Sequence, residues 1–393
     1  MPATRGFGLA IEKTGEGFTA PIKSWTIGRL SYRLQRTIAS IAASEDVVHV
    51  AVMPDIHEGP RVPNGCVIAT RKLVYPETVG QDIGCGVSAI QSIGFADDIP
   101  PKMLKSFLSE LERSVPSIKH SSSLAISELP DACRPNELSD RRLAKFATRE
   151  GMLQLGTLGR GNHFVELQRD ETGMLWIMVH SGSRGMGKAV TDLHLERANR
   201  SKISGLLALD LSKDAGQAYV NDMEWAVRYA SENRLHIINR VADLLEHRLG
   251  AGVVDATYID CPHNFAAVEE HFEERWIVHR KSANRARHGE LGIIPGSMAA
   301  GSRVVSGRGN AESLHSSAHG AGRALSRREA VERFDCRNLI RMMRGIAYQS
   351  DRADKLRDEA PSAYKDLNEV MKNQCELVRT ERTLTTVLNY KGF

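Results

Sequence analysis

The chain has 393 residues, 41% hydrophobic and 25% charged, the proportions of an ordinary globular protein with enough apolar residues for a large core. Its formal net charge of +4, from 52 basic and 48 acidic side chains, excludes a polybasic tail but permits a local basic groove and a nucleic-acid partner. No stretch reaches the roughly 18 apolar residues needed to span a membrane. Met1 to Ala10 lacks the apolar run of a secretory signal, and cysteines 66, 85, 133, 261, 336 and 375 show no close pairing and no Cys-x-x-Cys. The expectation is a cytoplasmic protein with reduced thiols and no zinc ribbon.

In chain order, Val47 to Met53 reads as a strand running into Pro54-Asp55-Ile56-His57-Glu58-Gly59. A helix is expected over Lys102 to Val115. The Ser-rich stretch from Arg113 to Ser123 and the polar run Asn136 to Arg149 read as loop or peripheral helix. Phe164-Val-Glu-Leu and Leu175 to Val179 read as strands. From Asp214 to Leu249, apolar residues recur at spacings of three and four, which predicts a long amphipathic helix with a break near Asn233, ended by Gly250. Asn264 to Phe272 reads as a helix capped by Asn264. Trp276 to Val278 and Gly292 to Ile294 read as strands, and Gly322 to Arg333 and Ala363 to Arg379 as helices. Strands and helices alternate irregularly without a repeat, so one large mixed α/β (α+β) domain over 1–393 is expected.

Six polar motifs sit on strand ends and glycine turns. Asp82-Ile-Gly-Cys85 brings a carboxylate and a thiolate to one turn, where they can meet at one ion or the sulfur can bridge two. Gly161-Asn162-His163 offers an imidazole for metal and a carboxamide for a phosphate oxygen. His180-Ser-Gly-Ser-Arg184 joins an imidazole to a loop of small residues whose N–H groups can approach an anion, with a bidentate arginine beside them. His263-Asn264 pairs a neutral imidazole with a helix cap. His279-Arg280-Lys281 clusters cations at a strand end. His319-Gly320-Ala321-Gly322-Arg323 enters a predicted helix, whose first amides form an anion site with a histidine at its mouth.

Each motif alone is equally an ordinary loop, cap or solvated strand edge. Together, Asp82, Cys85, His163, His180 and His263 would fill two neighbouring metal sites, and the mixed ligand set suits Mn, Co or Zn. The inventory points to metal-assisted phosphoryl or nucleotidyl transfer with His319 as nucleophile. A metal-dependent hydrolase of RNA ends and an idle RNA-end-binding protein would use overlapping residues.

The motifs together resemble the RtcB-type RNA ligases. The likeness runs from Met53-Pro-Asp-Ile-His57 through Asn221-Asp-Met, Ile294-Pro-Gly-Ser-Met298 and Ala360-Pro-Ser-Ala-Tyr-Lys-Asp366 to Lys391-Gly392. It implies an RtcB-like fold, with central β-sheets around a deep metal-containing cleft flanked by helices. It implies GTP and two Mn²⁺ ions, and a reaction joining a 2′,3′-cyclic-phosphate or 3′-phosphate RNA end to a 5′-hydroxyl end. By the same resemblance the five ligands hold the ions with Cys85 bridging, and His319 carries a guanylyl group. Asn162, Arg184, Asn221, Lys281 and Arg323 match positions for GTP or RNA phosphates, and the Gly320-Ala321-Gly322 turn is expected to meet the same anion. Glu166, Ser297, Ser302 and Lys391 match positions around the guanosine. An archease-like activator is a partner the resemblance allows. Pro60, Arg61, Cys66, Ser88, Ser282, Asn284 and Arg303 depart from the family pattern. They suggest a divergent member used in RNA repair, with its guanylylation residues kept and its RNA surface changed.

Overall fold

Two β-sheets set the architecture of the computed structural model, which describes residues 19–121, 125–201 and 203–393. Met1 to Ala10, expected to carry no secretory signal, and part of the Arg113–Ser123 stretch lie outside the described residues. The main elements are β1 (Ile22–Ser24), α1 (Tyr32–Ala42), β2 (Val47–His57), β3 (Asn64–Thr70), β4 (Gly86–Phe95) and α2 (Pro101–Ser114). Then come β5 (Phe164–Arg169), β6 (Met174–Ser181), α3 (Asp214–Leu249), β7 (Ile259–Pro262), β8 (Asn264–His271) and β9 (Glu274–Lys281). The chain closes with β10 (Leu291–Pro295), β11 (Ser302–Gly307), β12 (Ser316–Ala318), α4 (Arg327–Arg333), α5 (Leu367–Asn373) and β13 (Val378–Lys391).

A five-stranded sheet runs β1-β2-β3-β9-β8, and a seven-stranded antiparallel sheet runs β7-β4-β6-β5-β13-β11-β10. The mixed α/β class expected from the sequence is what forms. Val47–His57 is buried along nearly its whole length, as a continuous apolar run in a sheet covered on both faces should be. Ile38, Ile41 and Ala42 of α1 pack on Val50, Val52 and Ile68 of one sheet. Ile237, Ile238, Val241 and Leu245 of α3 pack on Val165, Ile177 and Val179 of the other. Each such buried aliphatic side chain contributes about 1.5–3 kcal/mol. No helix among the described residues is long and apolar enough to cross a membrane.

Four sequence expectations need correction. Asn264–His271 is a strand paired with Glu274–Lys281, not a helix, so Asn264 caps nothing. The helix expected from Gly322 starts only at Arg327, behind a Ser326–Glu329 capping box. The helix expected over Ala363 to Arg379 is confined to Leu367–Asn373, and Val378 already begins β13. Finally, α3 is unbroken at Asn233 and ends at Gly250, which takes the left-handed conformation (φ +63°) of a helix terminator.

Candidate metal and nucleotide site

Strand order explains how distant motifs meet. β7, β4, β6 and β5 are adjacent, and the sheet register pairs Phe164 with His180 and His180 with Val87. Cys85 precedes β4, His163 precedes β5, His180 lies near the end of β6 and His263 follows β7. Antiparallel pairing therefore brings all four to one end of one sheet. The Cys85 sulfur lies 3.4 Å from His163 Nε2 and 3.2 Å from His180 Nε2, and these three ligand atoms all fall within 4.8 Å of one another. Asp82 Oδ2 is 3.0 Å from His163 Nε2. The His263 ring sits 5.2 Å from the His180 ring and 4.7 Å from that of His319. Thus Cys85, His163 and His180 form one cluster, with Asp82 against His163 and the His263 ring beside that of His180.

The donor chemistry of the cluster fits a divalent ion. Burial holds the imidazoles of His180 and His263 well below the usual histidine range, helped by neighbouring imidazole charge, so both are neutral and able to donate a lone pair. Among the described residues, His263 Nδ1 is buried with no hydrogen-bond partner. His163 Nδ1 is taken by the Leu158 carbonyl at 2.9 Å, which turns Nε2 toward the thiol. Burial and the neighbouring Asp82 carboxylate raise the Cys85 thiol well above its usual range in the absence of a cation. Burial also works against ionised Asp82, but His163 and the Arg184 guanidinium hold its carboxyl below the usual range. At Gly182 a Cβ would fall 2.1 Å from Asp82 Oδ1, so any larger residue would push that carboxylate out of its place.

Support comes from below the cluster, from two residues to which the sequence assigned no such role. Fully buried Arg234 of α3 donates to the carbonyls of Gly84 (2.7 Å) and Ser181 (3.0 Å), the neighbours of Cys85 and His180. Its guanidinium is held by both oxygens of Asp260, at 2.7 and 2.9 Å. Asn233 accepts from the N–H groups of Gly156 and Thr157 and donates to Ser181 Oγ at 2.9 Å. The polar pair inside the long helix, where the sequence suggests a break, instead pins the ligand-bearing loops.

A cavity of about 400 Å³ opens beside the cluster, and His180 lies in its wall. His319 follows β12 and lines the same cavity. Its Nδ1 is 2.6 Å from Asp55 Oδ2, and its backbone N–H donates to the same oxygen at 3.1 Å. Gly322, at φ +71°, presses against β2, where a Cβ would fall 2.2 Å from the Asp55 carbonyl oxygen. The predicted residues Asn162, Glu166, Ser297, Gly320, Ala321, Gly322, Arg323 and Lys391 also line the cavity. Lys391 Nζ is 2.6 Å from Glu359 Oε2 and lies 5.8 Å over the Phe164 ring. Burial lifts the Glu166 carboxyl to about 7, against hydrogen bonds from Gln168 and Asn389.

The remaining predicted residues stand elsewhere. Arg184 lies close to Asp82 but spends its guanidinium on Thr157 Oγ1 and the Ser117 carbonyl. Ser302 is fully buried behind Glu166, joined to it through Gln168. Lys281 points at the Glu77 carbonyl at 3.5 Å, and burial lowers its ammonium to about 8. Asn221 is exposed on α3 and donates to the Glu137 carbonyl, outside the cavity. Arg323 does line the cavity, but the helix start expected behind His319 is absent and its guanidinium is held by the Asp358 carbonyl and Glu359.

Several lining residues carried no role in the sequence: His57, Glu58, Asn64, Arg327, Glu359, Tyr364 and Asn389. Asp55 and His57 had the same signature as the chosen motifs, a buried strand emptying into polar residues and glycine. Glu359 had no signal, because its importance lies in contacts with Arg323, Arg327, Tyr364 and Lys391.

Residues 37–136 and 126–392 match the protein family described as tRNA-splicing ligase RtcB. The RNA-splicing ligase RtcB of Escherichia coli K12 is 34% identical over 406 residues, covering 95% of this chain and 98% of the relative. The tRNA-splicing ligase RtcB of Thermococcus kodakarensis is 30% identical over 81% of this chain and 82% of its own length. RNA-splicing ligase RtcB homolog 1 of Entamoeba histolytica is 30% identical over 86% of this chain and 79% of its own. The matched residues take in every strand of both sheets except β1, together with the site, and on that breadth the chain belongs to the RtcB family.

Proposed function

We propose that this chain is a GTP-dependent RNA ligase that joins a 2′,3′-cyclic-phosphate or 3′-phosphate RNA end to a 5′-hydroxyl RNA end through guanylyl-His319. The observation that carries the reading is the Asp55–His319 pair. A proton on Nδ1, held by the carboxylate, leaves Nε2 as the ring nitrogen with a free lone pair on a side chain that lines the cavity.

In the first step, Nε2 of His319 forms a bond to the α-phosphorus of GTP, and the bond to the β-phosphate oxygen breaks, releasing pyrophosphate. The guanylyl group then moves from His319 to an oxygen of the RNA 3′-phosphate, a cyclic phosphate having first been opened by water. The 5′-hydroxyl of the second strand attacks that phosphorus, losing its proton, and GMP leaves. Asp82, Cys85, His163, His180 and His263 would hold two manganese ions, which supply Lewis-acid charge at the phosphates when bound. Asn162 and Arg323 bind and orient phosphate oxygens from the cavity wall, while Glu166, Ser297 and Lys391 face the guanosine. Positioning and charge stabilisation account for most of what such a site must do.

Incubation with α-labelled GTP and Mn²⁺, followed by denaturing gel and peptide mapping, tests the reading. Acid-labile label is expected on the peptide holding His319, and none in His319→Ala. Absence of label in the wild type under every divalent metal, with phosphate removal from RNA ends persisting, would replace the ligase by a hydrolase.

A further inference from the structure

Between Thr19 and Ser44 the chain has no Asp or Glu and four cations: Lys23, Arg29, Arg33 and Arg36. Removing these four from the 52 basic residues leaves 48 against 48 acidic ones, so the whole net charge of +4 resides in this segment. Lys23 is paired with Glu312 at 3.0 Å. The three arginines are exposed around the start of α1, together with Tyr32, which at 74% is the most exposed large hydrophobic side chain among the described residues. The Arg36 guanidinium lies 5.8 Å from the Tyr32 ring centre, which keeps the ring beside a cation. Among the described residues, Arg29 and Arg36 have no carboxylate partner.

The topology places this face next to the reaction site. β1 and β2 are parallel, and α1 connects them, so the helix starts near the end of β2 that carries Asp55, His57 and then Glu58. Ile38, Ile41 and Ala42 are buried against the sheet, which turns Tyr32, Arg33 and Arg36 outward. Arg33 reaches Glu58 at 3.3 Å, and Glu58 lines the same cavity as His319. That ion pair is 74% and 53% exposed, so exchanging the carboxylate for a phosphate costs little. Unpaired cations interleaved with an exposed ring are what a flexible single strand requires, since its phosphates and its unpaired bases are bound at once.

We infer that the outer face of α1 holds the single-stranded RNA leading away from the end that reacts in the cavity. Arg29, Arg33 and Arg36 take successive phosphates, and Tyr32 stacks on an unpaired base. This rests on the ligase reading and adds to it the path of the substrate outside the cavity.

The test is fluorescence anisotropy with the full chain and two 3′-phosphate RNA probes. One is a single strand of about ten nucleotides, within the range that such surfaces cover; the other is a dinucleotide, which reaches the cavity alone. Combined R29A, R33A and R36A should weaken the long probe at least about tenfold and lower the salt slope by about two, near 0.7 for each phosphate no longer neutralised. Tyr32→Ala should weaken it about tenfold, with Tyr32→Phe restoring binding. The dinucleotide affinity and the covalent labelling by α-labelled GTP should match the wild type. Wild-type affinity and salt slope in the triple variant would overturn the inference while leaving the ligase reading intact. An equal loss for both probes would also overturn it, since the cavity itself would then have been disturbed. A wild-type chain that neither labels nor binds RNA would remove the ligase reading, and this surface with it.

Discussion

The Asp55 carboxylate holds His319 twice through one oxygen, accepting from the ring Nδ1 at 2.6 Å and from the backbone N–H at 3.1 Å. Ring orientation and tautomer are thereby set by a residue 264 positions away, on β2. On the proposed mechanism Asp55 is a positioning residue: it touches His319 and no reacting atom. Asp55→Ala should keep the bound metal yet slow formation of guanylyl-His319 by about 10²–10⁴-fold, because neither the ring Nδ1–H nor the backbone N–H then has the acceptor that fixes the ring. Single-turnover labelling with α-labelled GTP measures it. A variant labelling at the wild-type rate would release His319 from this control.

Cys85 is the only sulfur in the ligand cluster, within 3.4 Å of two imidazoles. Cys85→Ala should reduce the bound divalent metal below two ions per chain, as counted by elemental analysis after gel filtration. The thiolate needed by the ions forms with release of a proton, so binding should strengthen as pH rises. Wild-type metal content in the variant would sink the bridging role.

Arg234 makes a prediction about stability. Arg234→Met leaves the Asp260 carboxylate without its cation and two strand-end carbonyls without a donor. Loss of one partner from such a buried pair costs about 3–5 kcal/mol. Urea unfolding should register this, and metal content should fall with it, since the missing bonds flank Cys85 and His180. Arg234→Lys should fail to restore either, because an ammonium cannot span both carboxylate oxygens and two carbonyls. An unchanged unfolding midpoint in Arg234→Met would show the ion pair to be dispensable.

Glu166 links the cavity to pH. Its carboxyl is lifted to about 7 by burial, so between the ordinary glutamate value and pH 7 the folded chain keeps a proton that the unfolded chain releases. Folding stability therefore falls as pH rises through that window and levels off above it. Nucleotide binding should run the other way, because only the ionised carboxylate can accept from the guanine N–H groups without donating. GTP affinity is expected to rise through about pH 7, and Glu166→Gln should flatten both profiles. A wild-type GTP affinity independent of pH from about 6 to 8 would place the guanine elsewhere.

Sequence made the strand-end motifs legible because a buried apolar run that stops at glycine and a polar side chain has few other uses. It failed where tertiary contacts decide. Asn264–His271 reads as a helix because Ala266, Ala267, Glu269 and Glu270 favour one, while Phe272 and Glu273 hide the hairpin turn. Both of those residues take positive φ, +50° and +63°, with no glycine or asparagine to announce it. Glu269 also looks solvent-facing until Arg280 meets it across the strand pair, both buried. Likewise Asn233 carries the letter of a helix break, and only the loops packed against α3 reveal that its carboxamide serves them. Asn221 sits inside a motif quoted for the resemblance, but the helix turns it to the surface.

His263 is the single residue between Pro262, which ends a strand of the seven-stranded sheet, and Asn264, which begins a strand of the five-stranded one. One sheet supplies Cys85, His163 and His180; the other supplies Asp55. The residue at this crossing is one of the proposed ligands, and its ring lies 4.7 Å from that of His319. An ion bound there would tie side chains carried by the seven-stranded sheet to the residue at which the chain crosses into the five-stranded one, so that the ion would join the two layers as well as serve the phosphates.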